Sequence, residues 1–173
     1  IQDETGLPII GIIKKDYPDS DVYITPTLKE MRQVAATGVE VVACQVTGQA
    51  RPNGEKLEEI IPQFREEFPN TLLMADTGDL NDVKEANRLG FDIIGTTMHG
   101  YTPTTKGMNI ADNDFEYLKE VLKVAEHPVI AEGKIDLPQK AKRVLELGVH
   151  ALVVGGAITR LLEIANKFMD AIK

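Results

Sequence analysis

The chain has 173 residues, 43% of them hydrophobic and 27% charged, with a formal net charge of −8. This is the profile of one globular domain with a real core, and its acidity argues against a broad nucleic-acid surface. The single cysteine, Cys44, excludes an internal disulfide or a multi-cysteine metal site; no apolar run is long enough to cross a bilayer and no secretory leader is visible, so a reducing cytoplasm is the expected setting.

The first six residues are polar and predict a loose segment; a start at Ile1 rather than Met suggests a processed form or a fragment. Residues 8–14 are almost continuously apolar and end in Lys14 and Lys15, the pattern of a parallel strand buried on both faces. Residues 16–27 are turn-rich. Thr27, with Glu30 three residues later, predicts a capping box before a helix over 27–37, whose apolar stripe is Leu28, Met31, Val34 and Ala35. Gly38 ends that helix.

A repeat follows. Gly38-Val39-Glu40-Val41-Val42 resembles Gly90-Phe91-Asp92-Ile93-Ile94, and both resemble Gly148-Val149-His150-Ala151-Leu152. Each is a helix-ending glycine, a short link and a strand. Strand starts fall near Ile9, Val41, Leu72, Ile93, Val129 and Leu152; helices are predicted over 27–37, 56–67, 80–89, 114–124, 137–147 and 159–172. These make six βα units. Loops 47–55 and 99–113 interrupt the rhythm. The second, rich in Thr and Gly, follows the C-terminal end of a strand, where such folds bind ligands, and is either a lid or an ordinary surface loop. Six alternating units fit an open doubly wound sheet or most of a (β/α)8 barrel.

The stretch 128–160 favours the barrel. Its Val129-Ile130-Ala131 stops at Glu132-Gly133, and Leu152-Val153-Val154 stops at Gly155-Gly156 before Ala157-Ile158-Thr159-Arg160. Paired glycines at a strand end let backbone N–H groups approach a phosphate, and Arg160 is placed either to reach that anion or to face solvent. No dinucleotide fingerprint is present. The other polar strand ends are Lys14, Gln45, Asp76, Thr96 and Thr97. Alternation sets Lys14 with Ile12, Asp76 with Met74 and Glu132 with Ile130, so that Lys14, Asp76 and Glu132 can share one mouth. A lysine and a carboxylate there can divide proton removal and delivery, with Asp76 as organiser; a structural ion pair is the plainer alternative. His99 is a weak candidate near the mouth, His127 and His150 read as structural or solvated, and Cys44 as a buried inert thiol. No residue spacing marks a metal site.

Residues 8–17 (PIIGIIKKDY) with Ile24-Thr25-Pro26-Thr27, Met74-Ala75-Asp76, Gly95-Thr96-Thr97, Gly100-Tyr101-Thr102, residues 129–134 (VIAEGK) and 153–160 (VVGGAITR) together resemble the N-acetylmannosamine-6-phosphate 2-epimerase family over essentially the whole chain. The resemblance implies a phosphate-binding (β/α)8 barrel, with residues 1–173 forming a single incomplete barrel domain that begins at the third strand. It implies epimerisation at C2 of the phosphorylated amino sugar during sialic acid breakdown, with no cofactor and no metal, in a cytoplasmic homodimer that binds neither nucleic acid nor membrane. By the same resemblance Lys14 and Glu132 transfer the proton and Asp76 supports them. Gly133, Gly155, Gly156 and Arg160 hold the phosphate side, with Thr97 and Tyr101 as further substrate contacts. The chain departs from the family pattern at Gln45, where an acid is usual, at Thr77 and at Leu161. A phosphosugar-binding barrel piece that does no chemistry and associates with another chain is the alternative reading.

Overall fold

The computed structural model describes residues 2–172. After a helical turn, α1 (Gln2–Thr5), strand β1 (Ile10–Gly11) opens the repeat. Helix α2 (Leu28–Ala35) leads to β2 (Val41–Gln45), α3 (Leu57–Glu67) to β3 (Leu72–Asp76) and α4 (Leu80–Arg88) to β4 (Ile93–Gly95). Helix α5 (Asp112–Val124) leads to β5 (Val129–Ala131) and α6 (Pro138–Glu146) to β6 (Ala151–Leu152), followed by α7 (Gly156–Thr159) and α8 (Leu161–Ala171). Every strand pair is parallel, and the spatial order of the strands is their chain order. A doubly wound sheet reverses direction at a switch point. This one never does, so its six strands form the wall of a barrel-type fold. The three helix-ending glycines of the repeat, Gly38, Gly90 and Gly148, have φ of +84°, +73° and +97°, a conformation that would strain any other residue.

Alternation along the strands divides the core in two. Val42, Cys44, Leu73, Ala75, Ile94, Val129 and Ala131 face the helices and pack with Met31, Ile60, Phe64, Val83 and Leu118. Val41, Ala43, Met74 and Ile130 form a smaller cluster on the inner face. Continued two residues on, the inner face ends in Gln45, Asp76 and Glu132. Cys44 belongs to the outer face, where burial pushes its thiol up to about 11.

Five local expectations are corrected. The polar start is helical rather than loose: Gly6 N–H donates to Gln2 O at 2.8 Å, and the Gln2 amide reaches the Glu40 carboxylate. Strand β1 is not buried on both faces; Ile10 and Ile12 remain 41% and 44% exposed, because β1 pairs on one side only. Thr27 forms no capping box. Its hydroxyl donates to the Glu30 carboxylate, which also accepts from Lys15 Nζ at 2.9 Å and Tyr17 OH at 3.0 Å, while Glu55 takes the Leu28 N–H at 2.9 Å. A buried carboxylate is better served by an ammonium and two hydroxyls than by one amide. Helix α5 begins with a left-handed turn, Asn113 to Phe115, tied down by the Asp114 pairs to Lys119 and Arg143, both at 2.6 Å. The final helix is broken at Arg160, whose φ of −100° and ψ of 76° separate α7 from α8.

Candidate active site

The C-terminal ends of the strands surround a cavity of about 610 Å³. Lys14, Thr97, Tyr101, Glu132, Gly133, Gly155, Gly156 and Arg160 all line it. Asp76 lies just beneath, buried and joined to the lining through Thr97.

Three central strand ends build the acid side. Thr97 Oγ1 donates to Asp76 Oδ1 at 2.6 Å and stands 3.3 Å from Glu132 Oε2. One hydroxyl proton serves only one of these oxygens, and the short contact takes it. The longer one is a hydrogen bond when the Glu132 carboxyl carries the proton. Burial is the main force raising the Asp76 carboxyl to about 7, with the nearby Glu132 charge adding to it; Thr97 and Lys14 oppose. Burial also raises Glu132, against the pull of Thr97 and Lys14. Burial thus pushes both neighbouring carboxyls up, and a charge on one bears on the proton of the other. Their backbone is clamped: Thr96 Oγ1 donates to Glu132 O at 2.8 Å and accepts from Glu132 N at 2.9 Å. Gly95 leaves room here. A Cβ at that position would collide with Met74 Cε and lie 3.1 Å from Asp76 Oδ1.

Lys14 comes from the other side. The segment read as turn-rich is a β-hairpin in which Lys14 bridges Ile24 and Tyr17 bridges Ser20. The alternation sends Lys14 into the cavity and Lys15 to Glu30. The hairpin is held from outside itself. Gln45 Oε1 accepts from Tyr23 N at 3.0 Å and Ile24 N at 3.4 Å, and the Arg51 guanidinium donates to Gln45 O at 2.6 Å and Thr25 O at 3.1 Å. Gln45 thus does not line the cavity. Its Nε2 donates to Thr47 at 3.0 Å and Gln49 at 3.2 Å, bonds that a carboxylate in its place could not make.

The glycine side is more open. Gly155 and Gly156 line the cavity at the start of α7, and the Arg160 side chain folds back over Gly156, where an added Cβ would meet its Cδ at 3.2 Å. Arg160 Nη1 bonds Glu163 Oε1 at 2.7 Å, so its charge is already engaged within the chain. His99 is not in the lining: its ring is buried, bonds Gly78 O through Nδ1 at 2.8 Å and stacks on Tyr117 at 3.7 Å. Loop 99–111 is an ordered series of turns in which Thr102 and Thr105 bond each other at 2.7 Å. Tyr23, Asn109, Lys134 and Lys167 also line the cavity and were missed in the sequence. Alternation gave no signal for Tyr23, since the Lys14–Ile24 bridge puts Ile24, not Tyr23, on the Lys14 face of the hairpin. Among the described residues no group of three His, Cys, Asp or Glu side chains is placed to hold a metal ion, and no helix is long and apolar enough to cross a membrane.

The sequence profile of a family described as "Putative N-acetylmannosamine-6-phosphate epimerase" matches residues 1–173. A Pediococcus pentosaceus protein named as an N-acetylmannosamine-6-phosphate 2-epimerase of that kind is 73% identical over 173 residues, which are 100% of this chain and 76% of the relative. Its Lactiplantibacillus plantarum counterpart is 70% identical over 172 residues, 99% of this chain and 75% of the relative. The solved structure of N-acetylmannosamine-6-phosphate 2-epimerase from Clostridium perfringens superposes with a TM-score of 0.90 at 44% identity, covering 98% of this chain and 72% of that one. By sequence over its whole length and by backbone, the chain belongs to the N-acetylmannosamine-6-phosphate 2-epimerase family.

Proposed function

We propose that this chain interconverts N-acetylmannosamine 6-phosphate and N-acetylglucosamine 6-phosphate by moving one proton at C2, a step suited to amino-sugar and sialic acid breakdown. The observation that carries the reading is that Lys14 and Glu132 line one cavity from strands four apart, with Asp76 locked to Thr97 between them. The C2 hydrogen is acidic only when C1 is an open-chain aldehyde, because the carbanion is then an enolate. Inversion needs the proton to leave one face and return to the other. Two proton carriers on opposite walls meet that need, one acting as base in the forward direction and the other in reverse. Burial brings Glu132 toward the working pH, where a carboxyl both holds and releases a proton well. Asp76 is the organiser: it fixes Thr97, whose hydroxyl sits beside Glu132. Thr97 and Tyr101 contact the sugar, and the backbone of Gly133, Gly155 and Gly156 with the Arg160 guanidinium receives the phosphate, Arg160 turning from Glu163 to do so. The reading includes a homodimer, which sedimentation velocity tests.

Proton NMR of N-acetylmannosamine 6-phosphate with the chain in D₂O tests the reading. The expected result is the gluco epimer carrying deuterium at C2. Binding with neither exchange nor epimer would instead make the chain a phosphosugar-binding module.

A further inference from the structure

Lys134 follows the Glu132-Gly133 turn and adopts a left-handed φ of +53°. That region strains a lysine and persists only where the surroundings impose it. The turn sends its side chain across the cavity rim rather than along the following segment. Lys134 Nζ donates to Met108 O at 2.8 Å and lies 5.8 Å from the Tyr101 ring centroid. The loop is shaped to receive it. Gly100 has φ of +91°, and a Cβ there would collide with Met108 O and stand 3.3 Å from Lys134 Nζ. One ammonium thus gathers both arms of the loop that carries Tyr101.

Of the cations lining the cavity besides Lys14, which the reading above assigns to proton transfer, Lys134 stands apart. Arg160 is 2.7 Å from Glu163, and Lys167 is 3.6 Å from Asp136. Lys134 touches a neutral carbonyl and uses one of its three N–H donors on it. A sugar phosphate brings between one and two negative charges at neutral pH. Arg160 must leave a carboxylate to meet that charge; Lys134 gives up only a carbonyl. It lines the same cavity as Gly133 and Gly155.

We propose that Lys134 is the cation that receives the phosphate from the β5 side, exchanging its bond to the Met108 carbonyl for phosphoryl oxygens and so coupling phosphate arrival to the Tyr101 loop. This rests on the phosphosugar reading of the cavity but not on the epimerisation step. The test is calorimetric titration of the chain with inorganic phosphate, for wild type, Lys134→Met and Lys134→Gly. The glycine variant suits the left-handed backbone and keeps the fold even if the methionine variant does not. The expected result is a Kd raised about tenfold in both, equivalent to about 1.4 kcal/mol, at an unchanged or higher melting temperature for Lys134→Gly. KM for the sugar phosphate rises with kcat within about twofold. A Lys134→Gly chain that binds phosphate as wild type does overturns the proposal, as does a variant that loses kcat while phosphate binding is unchanged. Phosphate binding that depends on Lys134 without any epimerisation keeps this inference and overturns the reaction proposed above.

Discussion

The acid end and the glycine end of the cavity are built by opposite means. Asp76, Thr97 and Glu132 hang from the central strands β3, β4 and β5, whose residues Leu73 to Asp76, Ile94 to Gly95 and Val129 to Ala131 are buried. Gly155, Gly156 and Arg160 hang from β6, α7 and α8, which contain no buried residue. Burial is what the acid end needs, because desolvation raises a carboxyl toward neutrality only where water is excluded. The glycine end is open because β6 is an edge strand, paired with β5 alone, so α7 and α8 have sheet on one side only. Strain is divided the same way: the acid end relies on a glycine where a side chain would collide, the rim on a lysine held left-handed.

Replacing Lys14 by Met removes a proposed proton carrier and should lower turnover about 10²–10⁴-fold without changing the melting temperature, since Lys14 is exposed; undiminished turnover would remove it from the mechanism. Replacing Asp76 by Asn should weaken the pH dependence of stability. The folded pKa of about 7 lies above the ordinary carboxylate value, so between about pH 4 and 7 the native state holds the extra proton. Stability contributed by that proton is complete below the window and is lost as pH rises through it, by a few kcal/mol. Denaturant unfolding at several pH values should show a shallower slope in the variant than in wild type, the remainder belonging to Glu132 and Asp82, whose carboxyls burial also raises. Gly95→Ala should cost about 1–3 kcal/mol and lower the melting temperature by several degrees, as the new methyl displaces Met74 and the Asp76 carboxyl. Smallest is Glu163→Gln at the open end, which frees Arg160 and should lower KM for the sugar phosphate two- to threefold with kcat and melting temperature unchanged; a rise in KM would show that Glu163 positions Arg160 rather than restrains it.

Much of the acid end was legible because it is local. Asp76 and Glu132 terminate apolar runs, and period-two alternation places them on the inner face with Met74 and Ile130. The helix-ending glycines made the six units visible for the same reason. What stayed hidden depends on partners distant in sequence. Residues 16–27 carry turn residues, yet Gln45 and Arg51 fold them into a hairpin that aims Tyr23 and Lys14 inward. Thr27 and Glu30 spell a capping box, but Lys15 and Tyr17 claim the carboxylate. The capping box that forms is Asp79 with Asp82, which accept N–H groups from Asn81, Asp82, Gly78 and Asp79 at 2.8–3.1 Å. The apolar run of β1 reads as doubly buried, though burial depends on which strands lie beside it. Nothing in the letters around Lys134 announces a left-handed lysine.

The central claim is that Glu132 moves the C2 proton while the far rim holds the phosphate. Glu132→Gln keeps size and hydrogen bonding but not proton exchange. Deuterium incorporation at C2 of N-acetylmannosamine 6-phosphate, followed by proton NMR beside a phosphate titration of the same variant, separates the two ends. The account predicts that exchange falls by at least about 10²-fold while phosphate affinity stays within about twofold. Undiminished exchange, or loss of exchange only in step with loss of phosphate binding, would contradict it.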